Sequence, residues 1–179
     1  PIKNRKITIL PGDFNLRVDE ILASGRITPK AASFCLLDQY TSECHWKTIK
    51  KLARHKPSGN RKIELFYFLG TSWLTRSLSQ TTKNVEKPKD WWGQKDWRTL
   101  LNLTSNGIVL KFIDRFKYQL GYRYVSAWPI TQHEKGQGKT MFFMIHASDH
   151  DKAPELMQRA YNEIVLPPVP ETQISMSGF

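Results

Sequence analysis

Apolar residues along this chain come in short runs set apart by polar, turn-forming clusters, and the spacing within each run predicts what it forms. Residues 6–10, "KITIL", are β-branched and apolar and lead at once into "PGDFN", which predicts a strand followed by a loop. In "LRVDEILASG", residues 16–25, Leu16, Val18, Ile21 and Leu22 recur at roughly helical spacing, and Gly25 is placed to end the helix. The run "ASFCLLD", residues 32–38, is continuous rather than alternating, as expected of a strand covered on both faces. After a polar kink, "HWKTIKKLARH" sets Trp46, Ile49, Leu52 and Ala53 on one side and Lys47, Lys50, Lys51 and Arg54 on the other, an amphipathic helix with a basic outer face. "KIELFYFLG", residues 62–70, predicts a third strand, and its aromatic content makes it the expected centre of the sheet.

Further along, "TSWLTRSLSQ" offers Thr71 or Ser72 as the cap of a short helix at a strand's carboxyl end. Residues 81–97, "TTKNVEKPKDWWGQKDW", are charged and aromatic without periodicity and predict a long surface loop or lid. Two helical patterns follow, residues 97–103 and 108–120, separated by "TSNG". "YRYVSAWPI" and "KTMFFMIHAS", joined by the polar loop "TQHEKGQG", predict an antiparallel hairpin. A last helix over "DKAPELMQRAYNEIV" has Asp149 or Asp151 available as its cap, and a Pro-rich tail ends the chain. Strands alternating with helices predict an α/β fold: a mostly parallel sheet with helices on both faces, closed at one edge by an antiparallel strand.

Composition narrows the function classes. The chain has 179 residues, 40% of them hydrophobic, enough for one domain with a proper core. No window approaches the roughly 18–20 apolar residues of a membrane span, and "PIKNRKITIL" lacks a signal-peptide core. A soluble, cytoplasmic protein is therefore expected, without a membrane partner. Cys35 and Cys44 are the two cysteines, which supports neither a disulfide framework nor a four-ligand metal site. The 27 Lys and Arg against 16 Asp and Glu give a net charge of +11, which favours polyanions such as DNA or RNA. A solubilising charge, or a basic face turned to an acidic protein, reads the same composition differently. The first residue is Pro, which fits either a removed initiator Met or a fragment of a longer protein.

Candidate chemistry gathers at strand ends. Asp38 closes the run "SFCLLD", where a parallel strand would leave its sheet and where α/β proteins place ligands. In "KPKDWWGQKDWR", Trp91, Trp92 and Trp97 interleave with Lys87, Lys89, Lys95 and Arg98, a mixture suited to nucleic-acid contact by stacking and phosphate pairing. The same tryptophans just before a helix equally suit a lid packed on the core. His146 and His150 flank "ASD" without specific metal-ligand spacing, so no metal is assigned. There is no Gly-x-Ser-x-Gly elbow, and "GQGKT" joins hairpin strands rather than opening a helix, so neither a serine hydrolase nor a phosphate loop is supported.

Taken together and in order, "ITILPGDFN", "FCLLDQYTSECHWKTIKKLA", "DWWGQKDWR", "YVSAW" and "MFFMIHASDHDKAPELMQRAYNEI" resemble the C-terminal two thirds of the three-Cys-motif partner protein family, which looks like a class I S-adenosylmethionine-dependent methyltransferase. The resemblance implies a Rossmann-like, class I methyltransferase-type α/β sheet, mostly parallel with a C-terminal antiparallel hairpin and lacking the first two strands. It implies a single domain over residues 1–166, incomplete at its N-terminus, and a tail over 167–179. Asp13 matches the acidic position that approaches the cofactor adenine, with Phe14 and Asn15 beside it; the alternative for Asp13 is an Asx turn capping the following helix. Asp38 and Tyr40 match the target-facing motif, in which the carboxylate accepts hydrogen bonds from a target nitrogen and the aromatic ring stacks on the substrate. Gln39 stands where the family has Pro, and Thr41 where it has Gly. The Gly-rich cofactor loop would precede Lys6.

The implied function is the C-terminal part of a methyltransferase-like protein acting on nucleic acid or a nucleotide-like substrate, with S-adenosylmethionine as cofactor. The missing strands would come from a preceding segment of a longer protein or from a second chain. The alternative is a noncatalytic nucleic-acid- or protein-binding module with a degenerate methyltransferase fold.

Overall fold

A computed structural model of the chain describes residues 6–39, 42–79, 85–133 and 138–164. The tail over 167–179 lies outside the described residues, as do Tyr40 and residues 134–137 of the hairpin loop. The elements are α1 (Phe14–Ala23), β1 (Phe34–Leu37), α2 (Trp46–Arg54), β2 (Glu64–Leu69), α3 (Thr71–Ser79), α4 (Glu86–Trp92), α5 (Ser105–Asp114), β3 (Tyr124–Thr131), β4 (Thr140–Ser148) and α6 (Ala153–Ile164). A 3₁₀ turn over Trp97–Asn102 precedes α5, and a π turn over Arg115–Gln119 extends it. Among the described residues, no helix is long and apolar enough to cross a membrane.

The fold is mixed α/β. Its four-stranded sheet has the order β1-β2-β4-β3, with β1 parallel to β2 and the other two pairings antiparallel. The sheet is thus mixed rather than mostly parallel, because the hairpin inserts β4 next to β2. The aromatic strand does lie inside, between β1 and β4. Period-two alternation divides the faces. Leu65, Tyr67 and Leu69 share one face with Ile145 and Ala147 of β4 and with Val125 and Ala127 of β3, and all are buried. Against them pack α4 and α5: Trp91 Nε1 donates to the Tyr67 hydroxyl at 2.7 Å, and the Tyr67 ring stacks on Phe112 at 5.4 Å.

Among the described residues, the opposite face is covered at one end only. There α6 lays Tyr161 flat on Trp128 of β3, with ring centroids 4.2 Å apart. At the other end Phe34 and Leu36 of β1 are 60% and 52% exposed. The expectation that this run is covered on both faces is therefore corrected: β1 is an edge strand with one open face.

Residues 6–10 form no strand either, and Ile7 and Ile9 are more than 80% exposed (81% and 84%). A strand needs a hydrogen-bonding neighbour, and no described strand runs beside this segment. Its composition supplied propensity without a partner.

Elsewhere the differences are local. The segment expected as a loop from 81 to 97 contains α4, which ends on Gly93 in a left-handed conformation. Asp149 does not cap α6. Its carboxylate instead pairs with Lys62 at 3.0 Å and accepts from the Arg123 amide, holding the start of β2 to the start of β3.

Candidate functional site

A cleft of about 810 Å³ opens at the carboxyl end of β1, within the roughly 300–1,000 Å³ typical of small-molecule sites. Its walls come from the start of α1, the end of β1, the loop into α2 and the first turns of α4. Crevices outside the carboxyl ends of parallel strands suit ligands because loops and helix starts converge there.

The sequence-expected residues meet in this cleft. Asp13, Phe14, Asn15 and Asp38 all line it; Tyr40 lies outside the described residues. Asp13 is the N-cap of α1, and its Oδ1 accepts from the Asn15 backbone amide at 2.8 Å and from Asn15 Nδ2 at 2.9 Å. The capping reading of Asp13 is thus realised, while Oδ2 keeps its capacity to accept.

Asn15 is more fully committed. Its amide also donates to the Glu43 carbonyl, and its oxygen accepts from the His45 amide and the Thr48 hydroxyl, at 2.8–2.9 Å. Asn15 therefore ties α1 to the start of α2 and shapes the wall. The Asp38 side chain is exposed at the strand end, and no described residue hydrogen-bonds it.

Two residues of the cleft, Gln39 and His45, have roles that their place in the sequence did not show. Gln39 donates to the Phe68 carbonyl at 2.9 Å and accepts from the Cys44 amide at 3.0 Å. One side chain thereby pins the loop after β1 to the end of β2, a fixing role that a Pro would serve through its ring. His45 is the N-cap residue of α2, and its Nδ1 is buried with no hydrogen-bond partner among the described residues. A buried imidazole nitrogen without a partner is costly, so this edge of the cleft is polar and unsatisfied. The only sequence cue was the position of His45 just before a helix.

The cleft is acidic: Asp13, Asp38, Glu43, Glu86 and Asp90 face it against Lys87, which itself sits 3.8 Å from Glu43. Such a lining repels phosphate and attracts cations and amine donors. Cys44 also lines it, with Cys35 nearby in β1; both thiols are free. Burial pushes the Cys35 thiol up to about 11 and Cys44 up to about 12, the latter raised further by Cys35 and Asp13.

A thiol raised in the folded state favours the protonated form there. Its stabilising effect is complete below the unfolded value near 9 and is lost as pH rises toward 11 and 12. Guanidinium unfolding followed by tryptophan fluorescence should give a stability lower at pH 11 than at pH 8 by about 2 kcal/mol per thiol. A flat profile across that range would refute the burial argument.

The tryptophan segment is placed differently from a nucleic-acid surface. Trp91, Trp92 and Trp97 are buried, so their rings face the core and not a stacked base. Lys87 and Lys89 lie by Glu43 and Glu86, while Lys95 and Arg98 are exposed, with Arg98 over the Trp97 ring at 4.5 Å. The packed-lid alternative describes these tryptophans.

His146 is buried and bonded to Glu64 at 2.5 Å; burial holds its pKa below the ordinary histidine value against the pull of that carboxylate. His150 accepts from the Lys152 amide. Among the described residues, no cluster of three or more His, Cys, Asp or Glu is set to hold a metal. No family model, curated protein or solved structure matches the chain.

Proposed function

We propose that this chain is the C-terminal part of an S-adenosylmethionine-dependent methyltransferase-like protein of the three-Cys-motif partner type, with the cleft at the end of β1 as its site. The convergence of Asp13 and Phe14 with Asp38 on one cleft carries the reading, since two motifs matched separately in the sequence face the same space. The parallel pair β1–β2 followed by an antiparallel hairpin supports the latter part of a Rossmann-like sheet of that class, although the strand expected over residues 6–10 is absent as well as the first two.

The residues present fit part of the cofactor. Asp13 Oδ2 would accept from the adenine amine with Phe14 beside the ring, and the surplus of carboxylates suits a sulfonium cation. Its amino-acid carboxylate finds no comparable partner among the described residues, of which Lys87 is the one Lys or Arg lining the cleft. When bound, the cofactor supplies an electrophilic methyl group. The role of Asp38 is to accept a hydrogen bond from a target nitrogen and hold its lone pair toward that group. Gln39 and Asn15 keep Asp38 and Asp13 in place. The repulsion of phosphate by the lining leaves the flat base of a nucleic-acid or nucleotide-like substrate as the portion that enters.

The edge of β1, unpaired among the described residues, and the exposed Ile7, Ile9, Phe34 and Leu36 support a further strand, supplied by a preceding segment or a second chain, beside the cleft wall formed by Leu36. Isothermal calorimetry with S-adenosylmethionine, on the longest form of the chain its gene encodes, tests the reading. Micromolar binding is expected, weakened about tenfold by Asp13→Asn, which keeps the cap but removes the charge. No heat at millimolar cofactor would sink the proposal.

The alternative of a noncatalytic binding module loses its tryptophan surface to burial. What favours it is a basic groove elsewhere on the molecule.

A further inference from the structure

Beside α2 lies a groove of about 370 Å³ between α1 and α2, lined by Asp19, Leu22, Lys47, Lys50, Lys51 and Arg54. Four cations thus face one carboxylate. That carboxylate is already taken, since Lys51 Nζ lies 2.6 Å from Asp19. Lys47, Lys50 and Arg54 have no carboxylate within ion-pair distance among the described residues. Elsewhere on the surface Arg17, Arg61, Lys62 and Arg159 do. Leaving three neighbouring cations without counter-charge raises the potential of the groove, which an arriving polyanion relieves by releasing its condensed counterions.

We propose that this groove binds the phosphodiester backbone of a nucleic-acid duplex without reading sequence. Positions 47, 50, 51 and 54 are spaced i, i+3, i+4 and i+7, so they share one helix face. The stretch is about 10 Å long at the α-helical rise, over which one strand of B-DNA presents about three phosphates. Single strands are a poorer fit, because their affinity draws on aromatic stacking and the groove offers only Leu22 as an apolar floor.

The groove also relates to the acidic cleft, because His45, which lines the cleft, immediately precedes the first turn of α2. A duplex along α2 keeps its phosphates on the basic side. The proposal does not rest on the methyl-transfer reading and is tested without cofactor.

Fluorescence anisotropy with a labelled 20-base-pair DNA of arbitrary sequence, between 50 and 200 mM KCl, measures it. Binding should fall with log salt at a slope of about −3 for three phosphates. The pair Lys47→Glu and Lys50→Glu should weaken binding at least tenfold at 100 mM and reduce the slope by about two. The control pair Lys95→Glu and Arg98→Glu, an equal change in net charge, should stay within about threefold.

Circular dichroism confirms that each variant folds. If the glutamate pair does not, Lys50→Gln with Arg54→Gln replaces it, with a loss of about fivefold expected. Equal losses in both charge-reversal pairs would overturn the proposal by reducing it to net charge. Absence of binding at 50 mM, tighter binding of a 20-nucleotide single strand, or tighter binding of poly-glutamate would overturn it as well.

Discussion

Replacing Arg115 by alanine is expected to destabilise the fold by about 3–5 kcal/mol, measured by guanidinium unfolding with tryptophan fluorescence. The guanidinium lies between two indoles, 3.7 Å from the Trp46 ring and 3.9 Å from the Trp92 ring. It donates to the Trp92 carbonyl at 2.6 Å and to Gln119 at 3.2 Å. Burial pulls its pKa down to about 10, so the charge is costly there and is compensated in part by the two ring faces and these acceptors, Nη2 having no hydrogen-bond partner among the described residues. Alanine would leave a gap between the rings and an unpaired buried carbonyl. Lysine would not rescue it, because an ammonium cannot lie flat between two aromatic planes or donate as a fork. A loss below about 1 kcal/mol would show that the clamp is dispensable.

Gly93→Ala is expected to cost about 2–4 kcal/mol by the same measurement, for a steric reason. Gly93 ends α4 at φ +73°, a conformation that L side chains rarely adopt, and an added Cβ would sit 2.6 Å from the Trp46 Cβ. Helices α4 and α2 cannot separate to make room, because Arg115 grips both indoles. The two substitutions share Trp46 and should therefore combine non-additively. Both also reach the cleft: α4 carries Glu86, Lys87 and Asp90, and α2 begins next to His45. Each variant should weaken any ligand of the cleft even at temperatures where it remains folded.

These two residues show where sequence reading stops. The periodicity of residues 108–120 predicts a helix, and a helix forms up to Asp114, but the π turn that follows is invisible to a 3.6-residue pattern. The tryptophans around 91–97 presented two readings that composition could not separate, and burial decides for the core. The helix over α2 and the closing hairpin were legible because amphipathic and alternating patterns are local properties. Residues 6–10 have as much strand propensity as β1 has, yet they pair with nothing described, since pairing belongs to the sheet and not to the segment. In the candidate site, Asp13 and Asp38 were visible as acidic residues at the ends of apolar runs. Gln39 and His45 were not, because their importance lies in hydrogen bonds made, or left unmade, across the chain.

By itself the sequence determined the alternation of apolar runs that makes this an α/β chain, the aromatic strand at its sheet's interior, the basic face of α2 and an excess of positive charge. Each follows from residue type and short-range spacing, which need no knowledge of what lies opposite. Tertiary structure alone decided that Asp13 and Asp38 share one acidic cleft, that Lys47, Lys50 and Arg54 line a groove whose one carboxylate among the described residues is held by Lys51, and that β1 ends the sheet with an open face. Convergence, pairing and burial are relations between segments far apart in the chain, and a local pattern carries no information about them until the backbone closes on itself.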